Sequence, residues 1–224
     1  MLKITLNRFL FFIIPALGLI VFLDACKEDP EKSKVTISSG ATPYYLNLPA
    51  SFPKMPIPLY NPLTVEGVAL GKKLFYDPLL SDNNKQSCAS CHQQKASFVD
   101  SNVKFSKGSS GVLGFRNSMP IFNIGYANAW FWDGKVTSLE AQVFHPVTSR
   151  FEMNQDPQLL VDELSSNKTY VQMFNSAFGE GKITFEKTSM AIAQFMRSII
   201  AYTPKPLDTM LMTAGERRGL KVFL

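Results

Sequence analysis

The residues with the clearest chemistry are Cys88, Cys91 and His92, which stand in the spacing Cys-x-x-Cys-His. Two thiols at this spacing can each add to one vinyl group of a porphyrin, and the imidazole after the second thiol then reaches the iron. The same thiols could instead form a redox pair or half of a zinc site, or stand together by chance. The spacing favours one covalent haem c, with His92 as the proximal ligand.

The rest of the sequence weakens the redox and zinc alternatives. A dithiol redox motif is expected after a strand in a βαβ pattern, and the chain shows no convincing strand pattern. A zinc site needs a second pair of ligands, which a chain with three Cys and two His cannot supply. The composition, 46% hydrophobic and 18% charged over 224 residues, is that of an ordinary globular protein. The net charge of +5 comes without a basic run, so nucleic-acid binding is not expected.

The start of the chain predicts a secretion signal. The apolar run at residues 9–23 follows two basic residues and is too short for a confident membrane span, which is typical of a signal peptide. The run leads to Cys26 in a sequence that resembles the lipobox of bacterial lipoproteins, although Asp24 is unusual there. We expect residues 1–25 to be removed and Cys26 to carry lipid. The alternative is a free or disulfide-seeking thiol.

This prediction agrees with the haem motif. A lipidated Cys26 places the rest of the chain outside the cytoplasm, on the side of the membrane where bacterial c-type haem is attached. We therefore expect a periplasmic lipoprotein anchored to the membrane. Residues 26–60 are rich in proline, which disfavours helices and central strands, and they predict an extended tether.

The domain predicted to follow is helical. Thr64 can cap a helix that ends at Asp77, and Thr137-x-x-Glu140 matches a capping box for a helix that Pro146 ends. Asp156 precedes a proline, a pattern typical of a helix start. Two further stretches, 168–178 and 185–201, show helical periodicity. No alternating strand or Asn-Gly hairpin is evident, so the fold class is all-α.

A short internal repeat suggests a second domain. The pattern Gly71 to Phe75 returns 148 positions later as Gly219 to Phe223, after a capping box at Thr213-x-x-Glu216. If the register held, a second haem motif would begin about a dozen residues after the last residue of this sequence.

Several separated motifs resemble the amino-terminal half of bacterial di-haem cytochrome c peroxidases and their MauG-like relatives. In chain order they are residues 70–81 (LGKKLFYDPLLS), 87–94 (SCASCHQQ), 115–117 (FRN), 131–135 (FWDGK), 138–140 (SLE), Gln142, Pro146 and 151–154 (FEMN). The resemblance covers about residues 60–224. It implies two cytochrome c-like helical domains with one haem each, the first peroxidatic and the second receiving electrons from a small donor.

The resemblance also implies domain bounds and partners. Residues 61–205 would form the peroxidatic haem domain and 206–224 the beginning of a second domain, so we expect a partial chain whose second haem lies in the missing half. The implied substrate is hydrogen peroxide, and the implied donor is a small periplasmic protein such as a cytochrome c or a copper protein. A homodimer is compatible with the family.

Four residues gain roles from the resemblance. Glu152 and Gln142 match the distal pair, in which a carboxylate moves a proton between the peroxide oxygens and an amide orients the peroxide. Trp132 matches a tryptophan that lies between the two haems and bridges electron transfer. Asn117 matches a ligand of a calcium ion at the domain interface. Without the resemblance, Glu152 and Gln142 would be read as solvated polar residues and Trp132 as a core aromatic.

One difference from the family concerns the distal side of the iron. Many of these peroxidases have a histidine in the loop after the haem motif that ligates the iron in the resting enzyme. The corresponding loop, residues 104–114, contains no histidine. Apart from His92, the sequence has one histidine, His145. We expect an iron that is open or water-bound without reductive activation. His145 could assist the proton relay, although a lone histidine at a helix end is more often structural.

Two other functions remain open. A one-haem electron-transfer cytochrome c would use a methionine as the sixth ligand, and Met119 and Met153 are candidates. A MauG-like oxidase would act on a protein partner. A small electron-transfer module would leave Glu152 and Gln142 without a role, and this chain is about twice the usual length of such a module.

Overall fold

The computed structural model describes residues 40–48, 52–202 and 211–224. These residues form α-helices, short 3₁₀ turns and isolated β-bridges, with no strand among them, so the predicted all-α class is confirmed. The predicted signal peptide and Cys26 lie outside the described residues. None of the helices in the described ranges is both long and apolar enough to cross a membrane.

The helices follow the sequence closely. In chain order they are α1 Val65–Tyr76, α2 Cys88–Cys91, α3 Leu139–Thr148, α4 Pro157–Ser166, α5 Lys168–Phe178, α6 Phe185–Ser198 and α7 Ala214–Phe223. The predicted caps are present, because Thr64 accepts from the N–H of Gly67 and Asp156 accepts from two N–H groups of α4. The capping box of Thr213 and Glu216 also forms.

The prediction for α3 was wrong at both ends. Its N-cap is Ser138, whose hydroxyl accepts from the N–H of Ala141, and Glu140 does not cap the helix but turns into the core. Pro146 lies inside the helix, which continues to Thr148. A distant partner, described below, decides the orientation of Glu140.

The core forms where α6 packs against α1 and α3. Leu70, Leu74 and Ile192 are almost completely buried there. Gly71 permits the close approach of α1 and α6, because a Cβ at this position would overlap the carbonyl oxygen of Ala191. In α7, no residue is buried among the described residues, and a Cβ added at the matching Gly219 would meet no atom within 4 Å.

A buried polar network ties α3 to α6. The guanidinium of Arg197 donates to both carboxylate oxygens of Glu140, at 2.6 and 3.2 Å. Asn61 donates to the same carboxylate at 2.6 Å and accepts at 2.8 Å from Gln194. All four residues are at most 9% exposed. Each buried polar group therefore has a partner from another element, which holds α3 in place.

Part of the predicted tether lies against the domain. Tyr44 donates its N–H to the carbonyl of Leu63 at 3.0 Å, and the N–H of Val65 donates to Thr42 at 2.8 Å. Met55 is buried at 4% exposure. Through Met55, the described part of this segment contributes to the core.

Candidate haem site

One large cavity of about 520 Å³ contains the haem motif and most of the other predicted site residues. Cys88, Cys91 and His92 lie on its wall together with Gln142 and Glu152. Trp132 and Asn117 also line it, as do the apolar side chains of Phe75, Ile121, Val143, Val147, Ile192 and Met196. Its volume and apolar lining are typical of sites that hold a cofactor.

The two cysteines stand one turn apart on α2, the shortest helix. Both are free thiols. Burial raises the pKa of Cys88 to about 12 and also raises the pKa of Cys91. A dithiol redox centre requires a thiol with a lowered pKa, so this environment is unsuited to that function. Within residues 40–48, 52–202 and 211–224, no three His, Cys, Asp or Glu side chains gather as metal ligands, and the described residues form no zinc site.

A main-chain carbonyl orients the ring of His92. Its Nδ1 lies 3.0 Å from the carbonyl oxygen of Phe98. With the proton on Nδ1 donated to that carbonyl, Nε2 is the atom left to ligate iron. Burial lowers the pKa of His92, against the opposite effects of the Phe98 and Met119 carbonyls and the charge of Asp100. Burial therefore favours the neutral form that binds metal.

Glu152 lies on the turn after α3, where its side chain is exposed to the space of the cavity. Desolvation by the surrounding protein raises its pKa, and the positive charge of Lys135 opposes this effect. Lys135 also lines the cavity, and its ammonium lies 4.6 Å from the centroid of the Phe131 ring. A carboxyl with a raised pKa takes up a proton more readily, as a proton carrier must.

The loop of residues 104–114, which lacks a histidine, is bound to the turn that carries Glu152. The N–H of Ser109 donates to the carbonyl of Glu152 at 2.7 Å, and its hydroxyl donates to the carbonyl of Met153 at 3.1 Å. Gly108 packs so closely that a Cβ there would overlap the carbonyl of Phe151. The main chain of Glu152 is therefore held by the loop.

Trp132 and Asn117 lie together at the edge of the cavity. Trp132 is 63% exposed, and its indole N–H donates to the main-chain carbonyl of Asn117 at 3.2 Å. Asn117 is itself exposed. This bond orients an indole that faces both the cavity and the solvent.

Of the remaining candidates, the two methionines line the cavity and His145 does not. His145 does not line the cavity; its ring packs edge-on against Phe131 at 5.1 Å between centroids, which favours a structural role. Met119 and Met153 both line the cavity, so their positions do not separate the two methionine candidates.

Unpartnered polar atoms show how well the wall fits a haem. Ser106 Oγ, Trp130 Nε1 and Gln142 Oε1 are buried without a hydrogen-bond partner, and all three residues line this cavity. Such atoms are rare in folded proteins and cost about 1–3 kcal/mol each when they stay unpaired. A haem brings an apolar ring and carboxylates that can accept hydrogen bonds from the Ser106 hydroxyl and the Trp130 N–H, so this wall fits the group.

Sequence reasoning missed several of these residues. In the sequence, Trp130 looks like an ordinary core aromatic. The structure does bury it, at 7% exposure, but leaves its indole N–H without a hydrogen-bond partner. Lys135 belongs to one of the family motifs, but nothing local indicated that its charge acts on Glu152. The carbonyl of Phe98 carries no sequence signal, because every residue has a carbonyl.

Comparison with known proteins identifies the family of this chain. A profile of the family described as di-haem cytochrome c peroxidase matches residues 65–215. The methylamine utilization protein MauG of Methylorubrum extorquens is 38% identical over 182 residues, 75% of this chain and 49% of that protein. The cytochrome c551 peroxidase of Pseudomonas aeruginosa is 36% identical over 173 residues, 73% of this chain and 49% of that protein.

A solved structure gives the same result. The crystal structure of a MauG-like protein associated with microbial copper homeostasis matches with a TM-score of 0.71 and 29% identity, covering 81% of this chain and 55% of that one. The chain spans about half the length of these relatives. The predicted resemblance is confirmed, and with it the expectation of a c-type haem: the chain belongs to the di-haem cytochrome c peroxidase family.

Proposed function

We propose that this chain forms the peroxide-reducing site of a cytochrome c peroxidase, in which hydrogen peroxide, two electrons and two protons become two water molecules. The observation that carries the proposal is the shared cavity, which joins Cys88, Cys91 and His92 to Glu152 and Gln142. A haem attached to the two cysteines would supply the iron that exchanges electrons with peroxide. The protein residues then orient the peroxide and transfer its protons.

Glu152 is the proposed proton carrier. Its carboxylate takes a proton from one peroxide oxygen and returns it to the other, which turns the second oxygen into water as the bond between them breaks. The raised pKa supports this role because the carboxylate must accept a proton readily. Gln142 is the proposed orienting residue, and its unpaired Oε1 is available for a hydrogen bond in the cavity.

We also propose that no histidine caps the distal side of the iron. The 104–114 loop has no histidine, and Ser109 binds it to the Glu152 turn. The ferric protein with haem attached should give an absorption spectrum of an open or water-bound iron before any reduction. A purely low-spin spectrum of iron ligated by two histidines would contradict this proposal.

Electrons must reach this site from another haem or protein. Trp132 is the proposed bridge, because its oriented indole lies at the cavity edge and is exposed to solvent. The proposed donor is a small periplasmic cytochrome c or copper protein, used directly or through a second haem. Periplasmic location, a lipid on Cys26 and a homodimer belong to the same proposal. A haem stain of the membrane fraction tests the anchor.

The domain bounds also remain proposals. We place the haem domain at residues 61–205 and the beginning of a second cytochrome c-like domain at 206–224. The unburied helix α7, with Gly219 matching the helix-packing Gly71, supports the second assignment. Calcium at Asn117 stays a prediction, and the carbonyl of Asn117 already accepts from Trp132.

The second candidate function is electron transfer with Met119 or Met153 as the sixth ligand, since both line the cavity. Turnover of peroxide with a reduced donor separates the two functions, because a methionine-ligated iron would react slowly. A MauG-like oxidase would instead show oxidation of a protein partner by peroxide. Fast peroxide reduction without such a partner supports the peroxidase.

A further inference from the structure

We propose that Gln93, Asp100 and Ser118 are positioning residues, which form a proximal clasp that holds the carbonyl of Phe98 against Nδ1 of His92. Through this hydrogen bond the clasp would adjust how strongly His92 binds the haem iron. The inference rests on the haem attachment in the proposed function, but not on peroxide turnover.

The Phe98 carbonyl reaches His92 by an unusual backbone path. After the 3₁₀ turn Gln94–Ala96, both Ser97 and Phe98 have φ of 59°, in the left-handed region that non-glycine residues seldom occupy. Two such residues in succession persist only where surrounding contacts enforce them. The loop therefore needs fastening to keep its carbonyl 3.0 Å from the imidazole.

The clasp provides that fastening from both ends of the loop. The side-chain amide of Gln93, next to the proximal ligand, donates to Oδ1 of Asp100 at 3.0 Å. The N–H of Asp100 donates to the hydroxyl of Ser118 at 2.6 Å, which joins the loop to a separate segment. The N–H of Phe98 donates to the carbonyl of Gln93 at 2.8 Å. These bonds close the loop around the strained pair.

The hydrogen bond to Nδ1 affects the iron through the imidazole ring. A firm acceptor at Nδ1 makes the imidazole more basic, which strengthens the bond from Nε2 to iron and stabilises the ferric form. The negative charge of Asp100, close enough to act on His92, works in the same direction. If the loop served only to stabilise the fold, its substitution would leave the iron–histidine bond unchanged.

The test compares clasp variants of the full chain with haem attached. Gln93→Ala and Asp100→Ala should move the iron–histidine stretching band of the ferrous protein to lower wavenumber, as measured by resonance Raman, and should raise the reduction potential. Asp100→Asn keeps an oxygen acceptor for Gln93 and loses only the charge, so its shift should be smaller. Ser118→Ala should shift the band in the same direction. The matched control is Gln94→Ala, because Gln94 is the exposed neighbour in the same loop.

The proposal is overturned if the clasp variants retain haem and their Raman bands and potentials equal those of the wild type and of Gln94→Ala. Where Gln93→Ala or Asp100→Ala does not fold, Asp100→Asn and Ser118→Ala decide by the same criterion. The predicted Raman shifts in a protein that fails to turn over peroxide would support the clasp and count against the peroxidase.

Discussion

On one side of the haem cavity, helices α1, α3 and α6 present Phe75, Val143 and Ile192 from a closely packed core. We call this side the helical wall. The other side, the loop wall, is lined by side chains drawn from residues 86–119, 130–135 and 149–153, which lie in loops and turns except for the short helix α2. Behind the helical wall, the buried polar side chains of the α3–α6 network are paired. Three side chains that line the cavity keep unpaired polar atoms: Ser106 and Trp130 of the loop wall, and Gln142 of α3.

Backbone geometry shows the same difference. Four non-glycine residues with a positive φ lie in the segments of the loop wall, and none lies in α1, α3 or α6: Ser97, Phe98, Asn102 and Phe131. Such residues cost of order 1–3 kcal/mol each and occur mainly where function requires them. The packed helical wall therefore supplies stability that allows the loop wall to keep strained residues near the cofactor.

The strongest test of the loop wall removes its proton carrier. Glu152→Gln should slow the reaction with peroxide by about 100- to 10,000-fold, because an amide cannot accept and return the proton. Stopped-flow spectroscopy of the haem protein measures the rate. Thermal unfolding and haem attachment should stay close to wild type, since the carboxylate contributes no pairing to the core.

The matched control for this variant is Glu180→Gln, at an exposed residue between α5 and α6. It should leave the rate unchanged. An unchanged rate in Glu152→Gln would remove Glu152 from the mechanism, and an equal loss in both variants would show that the effect is not local.

The corresponding test of the helical wall is Glu140→Gln. It leaves the buried guanidinium of Arg197 without its counter-charge, and breaking a buried pair costs about 3–5 kcal/mol of unfolding free energy. Denaturant unfolding measures the loss. The exposed pair of Arg116 and Asp133, 3.6 Å apart, provides the contrast, because Asp133→Asn should leave the unfolding free energy close to that of the wild type. Equal losses in the two variants would refute the distinction between the walls.

The same pair predicts a pH dependence. Burial by itself raises the pKa of Glu140, but Arg197 and Asn61 outweigh it, so the pKa is lowered from the ordinary value of 4.5. A lowered pKa adds stability that is fully present above the ordinary value and is lost as the pH falls through the folded value. The unfolding free energy of the wild type should therefore fall more steeply below about pH 4.5 than that of Glu140→Gln. Parallel curves for the two proteins would exclude this contribution.

The smallest expected effect concerns the backbone of the loop wall. Gly108→Ala forces a methyl group against the carbonyl of Phe151, which should cost about 1–3 kcal/mol and displace the Glu152 turn. Both the unfolding free energy and the peroxide rate should fall. Gly114→Ala in the same loop meets its nearest atom, the Ser106 carbonyl, only at 3.6 Å and should have little effect. If both variants behave alike, the loop does not position Glu152.

Local patterns were enough to predict the helices and the haem motif. The caps at Thr64 and Asp156 were correct because a cap depends on residues within the first turn of its helix. The same reasoning failed for Glu140, since its partner Arg197 lies 57 positions away and a capping box looks identical in sequence. Long-range pairing overrode the local preference.

The sequence by itself determined which covalent chemistry is available, because the spacing of Cys88, Cys91 and His92 is a property of the chain. Only the tertiary structure decided which groups surround it. The Phe98 carbonyl at Nδ1 of His92, the unpaired N–H of Trp130 and the loop that holds Glu152 all depend on how separate segments meet. Folding brings such groups together by packing and hydrogen bonding over long sequence distances, and no local residue pattern records where they meet.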